Sequence, residues 1–262
     1  MRLRAFISLI FVLYCNILHS GPVKLLTMEH PPYSYSDSNN SGVAAGITID
    51  IVEAAFALSD ITLEIEVVPW TRALHELKTG KVEGLFPALK NTEREKFANY
   101  SDILIEEVVS LFMPAGHNIT FEGNLSNLRG HSIGAIRDYY YGSKFERVRN
   151  SNLFSHIYYV INGRVAIPML TQRRFDLFIS DRLVAIYHAK QLHLQDKISE
   201  LKPALEVTPT YIMFAKTKRL QLVGEQINRA LLQMKQNGSY DKIISRWTSQ
   251  SRKIEKKANA QN

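Results

Sequence analysis

The stretch ITLEIEVVPWTRALHELKTGKVEGLFPAL, residues 61–89, contains a complete strand–helix–strand pattern. Its first part alternates apolar and polar side chains with a period of two, which places Ile61, Leu63 and Ile65 on one face of a strand. TRALHELKTG then predicts a short helix that ends at Gly80, a residue suited to a C-terminal cap. The apolar run VEGLFPAL predicts a second, buried strand. Strands that alternate with helices in this way indicate parallel β–α–β units.

The same alternation continues on both sides of this stretch. VKLLT predicts an earlier strand, GITIDIVEAAFALSD predicts a helix, and strands and helices alternate again between His131 and Leu192. Two extended apolar segments, Glu106–Gly116 and Glu206–Lys216, connect the two sets. Two α/β units joined by two crossings imply a body of two lobes with a cleft between them. The predicted division is 21–113 with 211–250 for lobe 1 and 114–210 for lobe 2.

The first twenty residues have the layout of a secretory signal peptide. Arg2 and Arg4 supply positive charge, and AFISLIFVLYCNIL is an apolar run of fourteen residues, short for a membrane span. We therefore predict that residues 1–20 are cleaved and that the mature protein is exported. An uncleaved anchor is one alternative. Lipid attachment at Cys15 is another, but Tyr14 is bulky for the residue that precedes a lipidated cysteine.

The composition is that of an ordinary globular protein. The chain has 262 residues, is 45% hydrophobic and carries a formal net charge of +7. Part of this charge lies in the leader and in RKIEKK near the C terminus, so we expect no nucleic-acid binding. Cys15 is the only cysteine, which excludes disulfides, thiolate metal sites and a cysteine nucleophile from the mature chain. We expect a monomer without cofactor or metal, and a polar tail at 251–262.

The segments GITIDIVEAA, NTEREKFANYSD, RRFDLFISD and LLQMKQNGSYDKIISRW follow one another along the chain. Together they resemble, in the same order, bacterial periplasmic solute-binding proteins of the polar amino-acid type, family 3 of the extracellular solute-binding proteins. The resemblance implies a type II periplasmic-binding clamshell of class α/β. Each lobe is then a mainly parallel sheet flanked by helices, and the two crossings form the hinge. It also implies a periplasmic protein that captures a small amino-acid-like or aromatic carboxylate. A permease or a sensor in the inner membrane would be its partner.

Arg94 is the first candidate for contact with the ligand. TERE, Thr92–Glu95, fits a capping box with Thr92 as the N-cap, so a plain helix start explains the motif as well. The helix dipole disfavours an arginine in the first turn unless the arginine faces an anion, and its planar fork matches a carboxylate. Glu93 or Glu95 could be that anion. The resemblance implies instead the α-carboxylate of the ligand.

Five further residues are candidates for the cleft. Asp181 follows the apolar strand FDLFIS and precedes a helix, where it suits an N-cap; the resemblance implies that it accepts the α-ammonium group of the ligand. Trp70 ends the strand ITLEIEVVPW, a frequent core position, and the resemblance implies that it covers the ligand side chain. Arg72 follows it closely. Glu29 and Tyr33 fall in the first strand-to-helix loop, and such loops bind ligands in open α/β sheets.

The loop after the first strand of lobe 2 departs from the family pattern. Small Ser, Thr and Gly residues are typical there, whereas this chain has RDYYYG, Arg137–Gly142. Three rings in a row favour a ligand with an aromatic or apolar part, so Arg137 and Tyr139 join the candidates. The alternative is that the tyrosines cover the surface of lobe 2 while a standard amino acid binds at Arg94 and Asp181.

An enzyme on the same fold, similar to cyclohexadienyl dehydratase, is the alternative function. Glu29 or Asp138 would then serve as its general acid. GHSIG, residues 130–134, matches the nucleophile elbow of hydrolases, but that motif needs a helix directly after the serine and a strand follows here. His188 and His193 do not share a helix face, and no zinc-binding motif is present. We therefore predict a binding protein without catalytic or metal-ligating residues.

Overall fold

The computed structural model describes residues 21–37, 42–137 and 139–247. The predicted leader 1–20, the tail 251–262 and Asp138 lie outside these ranges. In the first lobe, three strands alternate with helices as the periodicity predicts. Its elements before the first crossing are β1 (Val23–Thr27), β2 (Tyr35–Asp37), β3 (Val43–Ala45), α1 (Ile47–Leu58), β4 (Leu63–Val67), α2 (Trp70–Lys78), β5 (Gly84–Ala88), α3 (Thr92–Glu95) and β6 (Ala98–Tyr100).

The second lobe repeats the alternation between the two crossing strands. The first crossing is β7 (Ile105–Pro114), and the chain returns through β12 (Glu206–Ala215). Between them lie β8 (Ser132–Ile136), α4 (Ser143–Arg149), β9 (His156–Val160), α5 (Gly163–Thr171), β10 (Leu177–Asp181), α6 (Arg182–Gln191) and β11 (Ile198–Glu200). After β12 the chain ends its described part in two helices of the first lobe, α7 (Lys218–Gln236) and α8, residues 239–247.

One continuous sheet runs through both lobes. Its strand order is β4-β1-β5-β12-β7-β10-β8-β9, with β6 added on β12 and β11 added on β7. The three strands at either end are parallel, whereas β12 and β7 are antiparallel to each other and to their outer neighbours. The crossings pair directly, from Glu206 opposite Val109 to Thr210 opposite Ile105. The two connections between the lobes therefore form a two-stranded ribbon.

Separate hydrophobic cores hold the two lobes. The first core joins β1, β5 and β12 to the helices α1 and α7, with Leu25, Phe86 and Ile227 at its centre. Successive residues of a strand point to opposite faces of its sheet, so the second lobe has one core on each face. Leu177 packs against α4 in one of them, and Phe178 packs against α5 and α6 in the other.

The crossing strands contribute to more than one core. Ile105 near the start of β7 belongs to the first-lobe core, and Leu111 further along belongs to a second-lobe core. In the same way Leu205 precedes β12 in the second lobe, and Ile212 lies in the first-lobe core. The two-lobed α/β fold with two crossings is as predicted. The residue limits of the lobes stay a prediction, because both crossings belong to both lobes.

Two local predictions were wrong. Trp70 does not end a strand: β4 stops at Val67 and Trp70 begins α2. Pro69 has no N–H to donate to a neighbouring strand, and it takes the N-cap position of α2. The N-cap of α3 is Asn91 instead of Thr92, and its side-chain oxygen accepts a hydrogen bond from the Arg94 backbone N–H at 2.9 Å.

Candidate functional site

A cavity of about 590 Å³ lies between the two lobes. The first lobe lines it with Glu29, His30, Trp70, Leu89 and Arg94 among others, and the second lobe with Arg137, Tyr139, Tyr140, Ile161, Arg164 and Asp181. Two other depressions, of about 580 and 480 Å³, are each lined by a single lobe. The cavity between the lobes, called the cleft below, is therefore the one in which charged side chains from both lobes converge.

The strand directions explain why these residues meet. Glu29 and His30 follow the end of β1, and Leu89 follows the end of β5. In the second lobe Arg137 follows β8, and Asp181 is the last residue of β10. Carboxyl ends of parallel strands lie at one edge of a sheet, where open α/β folds bind ligands. The two edges face each other across the β7–β12 ribbon.

The guanidinium group of Arg94 lies against the ring of Trp70. Its central carbon is 4.8 Å from the ring centroid, and Nη1 donates a hydrogen bond to the Leu89 carbonyl at 2.8 Å. Burial lowers the pKa of Arg94. Neither neighbouring glutamate pairs with it: Glu93 pairs with a lysine at 2.6 Å, and Glu95 with another at 3.2 Å. Within the described ranges Arg94 has no carboxylate partner.

Asp181 caps the helix α6 and also ties the lobes together. Its Oδ1 accepts the Val184 N–H at 3.0 Å. Its Oδ2 accepts the Tyr33 hydroxyl from the first lobe at 3.0 Å and the Val108 N–H at 3.0 Å. The side chain lines the cleft although the residue is only 2% exposed. Burial and the negative charge of Glu107 raise the pKa of Asp181 to about 6.

His30, Tyr33, Glu107, Tyr139 and Asp181 form a polar group at the base of the cleft that we call the floor cluster; Tyr139 is half-buried and the other four residues are buried. The Tyr139 hydroxyl donates to Glu107 Oε2 at 2.9 Å, and His30 Nε2 lies 3.6 Å from Glu107 Oε1. His30 also stacks on Tyr33, with ring centroids 5.2 Å apart. Burial by itself lowers the pKa of His30, but the charge and hydrogen bond of Glu107 outweigh it, so this pKa is raised. The floor cluster thus joins residues from both lobes and from the crossing.

Two members of this cluster are not among the site residues predicted from the sequence. His30 lies beside the candidate Glu29, and Glu107 lies in the crossing whose sequence predicts only an extended, apolar segment. The alternation of side chains along β7 does indicate that Glu107 is buried, because Glu107 shares a face with the buried Val109 and Leu111 whereas Glu106 points outward. A carboxylate on the buried face of a strand requires partners.

The remaining predicted site residues divide into two groups. Trp70, Glu29, Arg137 and Tyr139 line the cleft together with Arg94 and Asp181. Glu29 is exposed, and its Oε1 accepts the Ser36 N–H at 2.9 Å. Tyr33 does not line the cleft; its ring is buried beneath it and it reaches the site through Asp181.

Arg72 also lies outside the cleft lining. Its side chain is 53% exposed, and its guanidinium group bonds to Glu76 at 2.7 Å and to Glu66 at 3.4 Å. The reason is helical geometry, because Trp70 and Arg72 belong to the same helix and residues two apart do not share a face.

The three consecutive tyrosines have three different environments. Tyr139 belongs to the floor cluster, Tyr140 is exposed on the cleft wall, and Tyr141 is buried in a second-lobe core, where its hydroxyl accepts the Ile136 N–H at 2.7 Å. Sequence alone did not distinguish them.

Within the described ranges, no three His, Asp or Glu side chains are grouped so that they could hold a metal ion. None of the helices described there is both long enough and apolar enough to span a bilayer.

Comparison with known proteins identifies the family of the chain. The model of the bacterial extracellular solute-binding proteins, family 3, matches residues 23–250. The chain belongs to this family. Among curated relatives of this solute-binding protein, the arginine-binding extracellular protein ArtP of Bacillus subtilis (strain 168) is 23% identical over 242 residues, covering 87% of each chain. The probable amino-acid-binding protein YxeM of the same organism is 20% identical over 244 residues, covering 92% of this chain and 88% of YxeM.

A solved structure supports the fold of this solute-binding protein. The sensor domain of a histidine kinase, described as similar to periplasmic binding proteins, superposes with a TM-score of 0.71 at 16% identity. The superposition covers 86% of this chain and 95% of that domain. At this identity the likeness is one of fold.

Proposed function

We propose that this protein captures a small amino-acid-like or aromatic carboxylate between its lobes and presents it to a permease or a sensor in the inner membrane. The observation that carries the proposal is Arg94, a half-buried guanidinium group without a carboxylate partner in the described ranges, held against Trp70 on the wall of the cleft. A guanidinium fork fits a carboxylate through two parallel hydrogen bonds. The ring of Trp70 offers an adjoining surface for the apolar part of the ligand.

Asp181 and Ser180 supply a second polar contact in this proposal. Asp181 accepts three hydrogen bonds, and an ionised carboxylate has about four acceptor positions. The neighbouring Ser180 hydroxyl is buried on the cleft wall, and no described group forms a hydrogen bond with it. We propose that these two side chains receive the α-ammonium group of an amino-acid-like ligand.

Binding is tested by a screen that does not presume the ligand. The change in melting temperature is measured with the twenty amino acids, with aromatic acids and with short peptides, and hits are titrated by calorimetry. We expect the larger shifts from aromatic or peptide-like carboxylates. A large shift with glutamine, glutamate, arginine or histidine alone would show that the tyrosine-rich loop does not select the ligand.

We propose that the cleft binds its ligand without converting it. Glu29, a candidate general acid for a dehydratase, is exposed and accepts the backbone N–H of Ser36 in β2, which suits a role in holding the loop after β1. Incubation with prephenate or arogenate, followed by absorbance, tests this directly. We expect no product, and turnover would establish the enzyme.

The same proposal includes the export of the protein, its location and its oligomeric state. We propose that residues 1–20 are a signal peptide that is cleaved on export and that the mature monomer acts in the periplasm. The mass of the protein from a periplasmic extract tests the cleavage, and light scattering tests the oligomeric state. A full-length chain retained in the membrane fraction would contradict the cleavage.

A further inference from the structure

Two more arginines line the cleft on the side of the second lobe. Arg137 follows β8, and its backbone N–H donates to the Val160 carbonyl at 2.8 Å. Arg164 lies in the first turn of α5, just after β9. Since β8 and β9 are parallel neighbours with Ile136 opposite Val160, both arginines leave the sheet at the same edge. Both side chains are exposed, and neither has a hydrogen-bond or ion-pair partner in the described part of the chain.

The carboxylates of the cleft are already engaged. Glu107 accepts the Tyr139 hydroxyl and pairs with His30, and Asp181 accepts three donors. Glu29 accepts a backbone N–H. The cleft therefore presents arginines without carboxylate partners on both walls, while each of its carboxylates already accepts hydrogen bonds and Asp181 keeps one acceptor position for an α-ammonium group. A ligand that completes this arrangement must itself carry more than one negative group.

We propose that Arg137 and Arg164 form a second anion-binding subsite on the second-lobe wall of the cleft, and that the ligand carries two carboxylates. Its α-carboxylate binds Arg94, as in the proposed function on which this inference rests, and its second carboxylate binds the arginines of the second lobe. Trp70, Tyr140 and Ile161 also line the cleft, and their rings and aliphatic groups suit an apolar or aromatic body that joins the two carboxylates. A cationic side chain is rejected because it would approach two guanidinium groups.

Matched ligand pairs that differ by one charge test this inference. The probes are 4-carboxyphenylalanine against 4-carbamoylphenylalanine, and glutamate against glutamine, because each amide keeps the shape of its acid and removes one negative charge. Calorimetry at low ionic strength gives the affinity ratio within each pair. We expect the acid to bind at least tenfold more tightly than the amide in the aromatic pair, with the same preference in the smaller pair.

Single substitutions show which arginines cause the preference for the acid over the amide. Arg137→Gln and Arg164→Gln should each reduce the acid-to-amide ratio severalfold and leave the affinity for the amide within about twofold. Arg94→Gln should weaken both members of a pair. Arg229→Gln removes the same charge from an exposed position on α7 outside the cleft lining and should change neither value. The far-ultraviolet circular dichroism of each variant confirms its folding.

The outcomes separate this inference from the proposed function. Equal binding of acid and amide to the unaltered protein overturns the second subsite while the carboxylate site at Arg94 stands. A preference for the acid that survives both Arg137→Gln and Arg164→Gln also overturns it. If no carboxylate in the screen or in these pairs binds at all, the proposed function fails and the second subsite fails with it.

Discussion

Four residues of the floor cluster and three arginines line the same cavity, but the charges of the cluster are paired within the protein and those of the arginines have no carboxylate partner in the described ranges. In the floor cluster every ionisable group has a described partner, and the contacts join lobe to lobe. Arg94, Arg137 and Arg164, which we call the cleft arginines, have no carboxylate partner in the described ranges. Charges that satisfy one another stabilise the protein's own structure, whereas charges without partners are free to bind a ligand. Changes in the floor should alter stability first, and changes in the arginines should alter affinity first.

The largest effect is expected from Glu107→Ala. The change leaves His30 and the Tyr139 hydroxyl buried without their shared acceptor, and breaking a buried pair typically costs about 3–5 kcal/mol. Unfolding in denaturant measures the loss. Glu106→Ala on the exposed face of the same strand is the matched control and should change the free energy of unfolding by about 0.5 kcal/mol or less. Equal losses from both variants would show that the floor cluster contributes no more than a surface position.

Arg94→Ala should have the opposite effect to Glu107→Ala, because we expect it to impair binding and to leave folding intact. Removal of a charge-assisted pair in a shielded cleft costs about 2–5 kcal/mol, and about 1.4 kcal/mol corresponds to a factor of ten. We expect affinity for a carboxylate ligand to fall about a hundredfold or more while the melting temperature of the free protein changes little. Calorimetry measures the affinity. Near-normal affinity in the variant would remove Arg94 from the site.

The raised pKa of Asp181 predicts how stability depends on pH. In an unfolded chain an Asp carboxyl loses its proton near pH 3.9, whereas Asp181 in the folded protein keeps it to about pH 6. The folded state therefore binds this proton more tightly, and the resulting stabilisation is lost as the pH rises through about 6.

Comparison with Asp181→Asn isolates this contribution. From pH 4 to pH 7, the stability of the unaltered protein relative to the variant should fall by about 2 kcal/mol. Denaturant unfolding at several pH values gives the two profiles. Parallel profiles would mean that Asp181 does not hold its proton in the folded state.

Trp70→Ala should weaken binding moderately, since ring contacts add about 0.5–1.5 kcal/mol beyond burial. Tryptophan fluorescence can show whether the ligand binds beside Trp70, because the chain has only two tryptophans and each can be replaced in turn. Trp247 lies in the first lobe, where its Nε1 donates to Asp50 at 2.7 Å, so Trp247→Phe leaves Trp70 as the reporter in the cleft. Ligand should change the emission of this variant and not that of Trp70→Phe.

The smallest effect is expected from Arg72→Ala. Its ion pairs are exposed, and such pairs contribute about 0–1 kcal/mol. We expect affinity within about twofold of the unaltered protein. A loss comparable with that of Arg94→Ala would place Arg72 in the site, as the sequence analysis expected.

Much of the fold could be predicted because it is encoded locally. Period-two strands alternate with helices, and two long apolar segments connect the two sets, so two lobes with two crossings follow from the sequence. The strands β2, β3, β6 and β11 were missed because three residues are too few to show a period. The cap of α3 was misplaced by one residue, since Asn91 and Thr92 are both good N-caps.

The lining of the cleft could be predicted where its residues lie close to strand ends and could not be predicted where it depends on contacts between distant segments. Trp70, Arg94 and Asp181 line the cleft as their neighbouring strands and the resemblance indicated. The roles of His30 and Glu107 come from contacts between segments far apart in the chain, which no local pattern shows. Arg164 was missed for a different reason, because the helix that carries it was considered only for its position in the fold.

The pairing of β7 with β12 limits how the lobes can move. Two unpaired connections between the lobes could rotate independently, but β7 and β12 pair at five consecutive positions and so form one ribbon. A slip of one residue between the strands would turn Glu107 to the opposite face and dismantle the floor cluster. This pairing favours bending of the lobes about the ribbon over sliding of one lobe past the other. In the proposed binding mode, the length of the ligand is then set by the span between Arg94 and the arginines of the second lobe.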